Sequence, residues 1–139
     1  MNNESNKDIL FVLAQRDLDA ANTLKSHFRP QYEIVCFHCH QSAEKYLKGF
    51  IDLTGNSYPK IHDLSQLLNL CIAHKPQLDE IRDDCVKLTS LYTKARYENP
   101  FEFTEREMFQ SYDHAIRIQS HVKERAKALG YTPPDAYKV

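Results

Sequence analysis

Residues 36–48, CFHCHQSAEKYLK, gather two thiols, two imidazoles, a glutamine, a glutamate and two lysines into one short stretch. Such groups bind metals, carry protons or contact phosphates. Cys36 to His40 matches C-x-x-C-H, the short haem-attachment pattern. Covalent haem attachment normally requires export, and the N-terminal sequence MNNESNKD has no cationic segment followed by a long apolar run, so the match reads as accidental. Cys36, Cys39 and His40 also lie at i, i+3 and i+4 and can share a helical face for zinc. A structural zinc site needs about four ligands, so Cys71, Cys85 or His62 would have to supply the fourth. Both cysteines fall on an apolar stripe, which favours a core thiol pair instead. No metal and no cofactor is expected.

Other reactive side chains stand outside this stretch. Asp17 lies near the centre of an apolar stripe, where a carboxylate must find cations or hydrogen-bond donors or else take up a proton. Arg96, at the end of a later helix, is the expected partner, and a solvated Asp17 at a bundle edge is the alternative. His62 and Asp63 stand where a helix starts and read as capping residues. Lys45 and Lys48 flank a mixed helical face and can reach phosphates, although solvated lysines are the commoner outcome. There is no Gly-rich phosphate loop and no strong nucleophile motif.

Five helices must position these groups. Ser5 to Asp8 resembles a capping box and opens a helix to about His27, with Leu10, Leu13, Ala14, Ala20, Ala21, Leu24 and Phe28 on its apolar stripe. A second helix is predicted from Tyr32, after Pro30, to Leu53, before Gly55. Its core face is Tyr32, Val35, Cys36, Cys39, Ala43, Tyr46, Leu47 and Phe50. Its other stripe, Phe37, His40, Gln41, Glu44, Lys48 and Ile51, mixes polar with large apolar groups, as a face does that meets a partner or lines a cleft.

A short third helix starts at Asp63 and is interrupted by Pro76. Leu78, Ile81, Cys85, Leu88, Tyr92 and Ala95 mark a fourth, and Thr104 to Glu107 is a capping box for a fifth. The last carries Met108, Tyr112, Ala115, Ile116, Val122, Ala126 and Leu129 inward. The expected fold is all-α, an up-and-down bundle over residues 1–130 with a C-terminal tail, 131–139.

Composition agrees with this picture. The chain has 139 residues, of which 42% are hydrophobic and 27% charged, as suits one domain with one core. Only three glycines occur, too few for the turns of many short strands. A formal net charge of -1 excludes nucleic-acid binding by bulk electrostatics and leaves room only for a local basic patch. No stretch approaches the roughly 18 apolar residues of a membrane span. A cytoplasmic protein with reduced cysteines and no membrane contact is expected.

Four segments together resemble the HEPN domain family, small helical bundles of bacteria, archaea and higher eukaryotes. They are Asp17-Leu18 with Ala21, Phe37 to Lys48, His62-Asp63-Leu64, and Ala95-Arg96-Tyr97. The resemblance spans nearly the whole chain to about Ala128. It implies a bundle that commonly dimerises and a frequent partnership with a minimal nucleotidyltransferase encoded beside it, the two sometimes acting as toxin and antitoxin. Many catalytic members of the family are metal-independent ribonucleases with an R-x4-6-H motif, two copies meeting across the dimer cleft.

Here the sequence departs from that pattern. Arg96 matches the arginine, but Phe101, Glu102 and Phe103 occupy the histidine positions, and no histidine occurs before His114. Cleavage at a 2′-hydroxyl generally wants a base and an acid, and an arginine alone supplies only charge stabilisation. The resemblance therefore points to a nucleotide- or RNA-binding module, with Arg96, Tyr97, Gln41, Glu44, Lys45, Lys48, Asp17 and His62 as the expected binding residues. The alternative is a ribonuclease toxin in which His40 or His62 stands in for the missing histidine. A third reading makes Asp17, Glu44, Arg96 and Tyr97 a buried polar network that fixes helix register.

Overall fold

The computed structural model describes residues 6–138, and among these residues the only regular elements are helical. Five α-helices follow one another: α1 (Asn6–Lys25), α2 (Tyr32–Leu53), α3 (Leu64–Ile72), α4 (Arg82–Tyr97) and α5 (Glu105–Ala128). Short 3-10 segments, Pro76–Ile81 and Pro100–Glu102, precede α4 and α5.

Local chemistry sets several of these boundaries. The Asp63 carboxylate accepts from the Ser65 and Gln66 amides and starts α3. Thr104 and Glu107 form the reciprocal capping box at the start of α5. Gly55 and Gly130, just past α2 and α5, have φ of 85° and 82°, a conformation that L side chains rarely adopt. The capping box expected at Ser5 begins outside the described residues.

Helix α2 is the central element and packs against the four other helices. Its predicted core face is buried, apart from Tyr32, which is half-buried. Gly49 lets α1 come close: a Cβ there would stand 2.8 Å from Phe11 Cε2. Phe11 and Tyr46 meet edge to face beside this contact, with ring centroids 5.5 Å apart.

Two inward faces differ from expectation. The buried residues of α1 are Phe11, Ala14, Leu18 and Ala21, whereas Leu13 is exposed and Phe28 lies 89% exposed beyond the helix end. The true stripe is turned relative to the predicted one and is the side that meets α2, where Phe11 lies against Gly49 and the Ala14 carbonyl accepts from the Ser42 hydroxyl. Tyr131 packs its ring on Phe11 and donates its hydroxyl to Asp8, while Arg16 Nε donates to the Ala136 carbonyl. On α5, Ser111 and Ile118 are buried and Leu129 is exposed. Among the described residues no helix is long and apolar enough to cross a membrane.

Candidate functional site

The mixed stripe of α2, expected to meet a partner or line a cleft, is packed within the bundle, with His40, Glu44 and Ile51 buried and Phe37, Gln41 and Lys48 half-buried. The helix carries two ionic clusters, one toward α1 and one toward α3 and α4. On the α1 side Asp17 is bound by His38 Nδ1 at 3.1 Å and by Lys45 Nζ at 2.5 Å. The expected pairing of Asp17 with Arg96 is not made. Helix α2 separates the two residues: α1 lies on one flank of it and α4 on another, so the lysine and histidine of α2 reach Asp17 first.

On the other flank Glu44 is buried at 5% exposure and acts as a hub. Lys48 Nζ donates to its Oε2 at 2.9 Å, and His62 Nδ1 lies 2.9 Å from its Oε1. His62 arrives here because Asp63 caps α3 and fixes the residue before it. The His62 side chain itself is 74% exposed. Gln41 stands one turn from each cluster, and its side chain makes no hydrogen bond among the described residues.

His40 completes this flank from within. It is fully buried, its Nδ1 is 3.9 Å from Glu44 Oε1, and neither ring nitrogen has a hydrogen-bond partner. Burial pushes its pKa down to about 4 against the opposing pull of Glu44, so the imidazole is neutral near pH 7. Its ring stacks on Tyr92 of α4, centroids 3.9 Å apart and planes 11° from parallel. Four residues on, the Arg96 guanidinium lies 5.9 Å from the same ring and 5.8 Å from that of Tyr97.

Arg96 is exposed, and among the described residues no carboxylate pairs with it. Its neighbours Tyr97 and Phe101 are 73% and 94% exposed. Contacts with Tyr97 first, and then Tyr92, hold its pKa above the usual arginine range, so it is always charged. Of the three positions where a histidine was sought, Phe103 is buried and Phe101 and Glu102 are exposed.

The four cysteines are reduced and fully buried, as the apolar stripe indicated. Burial pushes the Cys36 and Cys71 thiols up to about 12, which leaves them poor nucleophiles. Among the described residues no three His, Cys, Asp or Glu side chains are arranged to hold a metal ion.

The model of the HEPN domain family matches residues 9–125. The chain belongs to the HEPN domain family. The crystal structure of an archaeal HEPN homologue is 29% identical, with a TM-score of 0.68 over 86% of this chain and 96% of the other. A crystal structure from Thermus thermophilus, 22% identical, gives a TM-score of 0.73 over 88% and 99%, a likeness of fold. Among curated proteins none matches the chain significantly.

Within this HEPN bundle the structure also joins residues that sequence reasoning missed. His38 shares Asp17 with Lys45, and Tyr92, read only as core, links α2 to Arg96. On the α4–α5 face, buried Asp84 accepts from His114 Nδ1 at 2.8 Å and from Arg117 Nε at 3.1 Å. The i, i+3 spacing of His114 and Arg117 was the available signal, but it does not say which acid they meet.

Proposed function

We propose that this HEPN chain is a nucleotide- or RNA-binding module and, in the cytoplasm, the homodimeric partner of a minimal nucleotidyltransferase in a toxin–antitoxin-like pair. The observation that carries the binding reading is Arg96, an exposed guanidinium backed by two tyrosine rings and free of any carboxylate among the described residues. A guanidinium so placed presents a planar fork to a phosphate. The exposed rings of Tyr97 and Phe101 offer faces on which bases stack.

Gln41 has an unused amide for a polar edge. Glu44, Lys48 and His62 hold the α2 and α3 side of the surface in place, while Asp17 and Lys45 do the same on the α1 side. With Lys45 and Lys48 already paired, Arg96 supplies the principal uncompensated charge of the site, in keeping with the chain's near-neutral total.

The second reading, a metal-independent endoribonuclease toxin, is favoured by one contact. Glu44 holds His62, a side chain that is 74% exposed and of the type that serves as a general base. His40 cannot supply the complementary acid, being buried, neutral and stacked.

Anisotropy of a fluorescent single-stranded RNA distinguishes the binding site from a merely structural arginine. Arg96→Lys keeps the charge and loses the fork, and an affinity about tenfold weaker is expected. Unchanged affinity removes Arg96 from the site. The neighbouring gene tests the partnership first: a minimal nucleotidyltransferase that co-purifies with the chain supports it, and the absence of such a gene or two proteins that elute separately contradict it.

A further inference from the structure

We infer that His40 is a positioning residue for Arg96 and acts through Tyr92. This rests on the reading of Arg96 as the phosphate contact. The three groups form a column of contacts: the imidazole of α2 stacks on the phenol ring of Tyr92, and the Arg96 guanidinium lies 5.9 Å from the centre of that ring and interacts with its hydroxyl. An exposed arginine alone samples many rotamers, and ordering it on binding costs affinity. A ring held by the His40 stack reduces that cost in advance, because Tyr92 then offers the guanidinium a fixed surface.

His40 suits this task. Full burial keeps it from touching a ligand, and its polar contacts, with the His62 backbone and with Glu44 Oε1 at 3.9 Å, are long. What it does make is a nearly parallel stack at 3.9 Å, which only a flat side chain provides. Phe37 lies 6.3 Å from Tyr92 in a tilted arrangement, too far to clamp it in the same way. His40 therefore couples the interior of α2 to a surface group one helix away.

The test compares His40→Phe, which keeps a flat ring, with His40→Leu, which does not. Tyr92→Leu removes the middle of the column without altering α2, and serves if His40→Leu fails to fold. In NMR the Arg96 Nε–H of the free protein is expected to be ordered in the wild type and in His40→Phe, and mobile in His40→Leu and Tyr92→Leu. Affinity for the single-stranded RNA probe is expected to fall about fivefold or more in the two leucine variants and to stay within about twofold in His40→Phe. Neither leucine change should weaken binding further in an Arg96→Ala background.

An Arg96 signal unchanged in the leucine variants overturns the inference whatever the RNA result, and so does a fully additive loss in the Arg96→Ala background. Loss of Arg96 order together with RNA binding that ignores Arg96→Ala leaves the column standing and refutes the proposed function instead.

Discussion

Acidification probes the surroundings of His40 without any ligand. Its folded-state pKa is about 4 against an ordinary 6.5, with burial as the main cause. Glu44, Asp63 and the His62 backbone pull the value up, and the His62 side chain pushes it down. Because the folded value is the lower one, the unfolded chain takes up the proton first as the pH falls. The stability tied to neutral His40 is thus complete above about pH 6.5, declines through the window from there to about pH 4, and is gone below it. Such a difference amounts to about 3 kcal/mol at its limit and about 2 kcal/mol at pH 5. The group is fully buried, so solvent screening takes little from this figure. Carboxylates titrate over part of the same range, and a difference between two proteins removes them. Urea denaturation of the wild type and of His40→Phe at about pH 7.5, 6 and 5 is the assay. His40→Phe should gain about 2 kcal/mol on the wild type between the first and last of these. Parallel loss of stability by the two proteins would refute the burial reasoning.

Three further outcomes are expected. Gly49→Ala places a methyl group against Phe11, which is itself held by Tyr46 and Tyr131, and should cost about 1–3 kcal/mol in urea denaturation; an unchanged midpoint would show that Phe11 yields freely. Glu44→Ala strips Lys48 and His62 of their shared acceptor and should cost about 3 kcal/mol, since the lysine is only 12% exposed, whereas a loss below about 0.5 kcal/mol would show that Lys48 escapes to water. A thiol reagent such as dithionitrobenzoate should label none of the four cysteines quickly in the native protein and all four in denaturant; fast native labelling would contradict their burial.

Helix α2 and the caps of α3 and α5 were legible because their signals are local: Pro30 before Tyr32, Gly55 after Leu53, Asp63 three residues from Gln66, and Thr104 three from Glu107. The phase of α1 was not legible. Leu10, Leu13 and Leu24 outweigh Phe11 and Leu18 in a periodicity count, and only the packing of Phe11 on Gly49 and of Ala14 beside Ser42 shows which side meets α2. Likewise the charge of Asp17 predicted a cation but could not choose between Lys45, one helix away, and Arg96 on a more distant flank. Helical spacing placed Gln41, Glu44 and Lys48 on one stripe, and the structure adds His62 beside Glu44 and the stack of His40 on Tyr92, contacts between elements that spacing within one cannot reveal.

The most direct test of the central claim, that Arg96 binds RNA or a nucleotide without cleaving it, is one incubation of labelled single-stranded RNA with the wild type and Arg96→Ala, followed by anisotropy and by a denaturing gel. Binding by the wild type with intact RNA, and affinity at least about tenfold weaker in Arg96→Ala, is the predicted result. RNA cleaved by the wild type and spared by Arg96→Ala would contradict it.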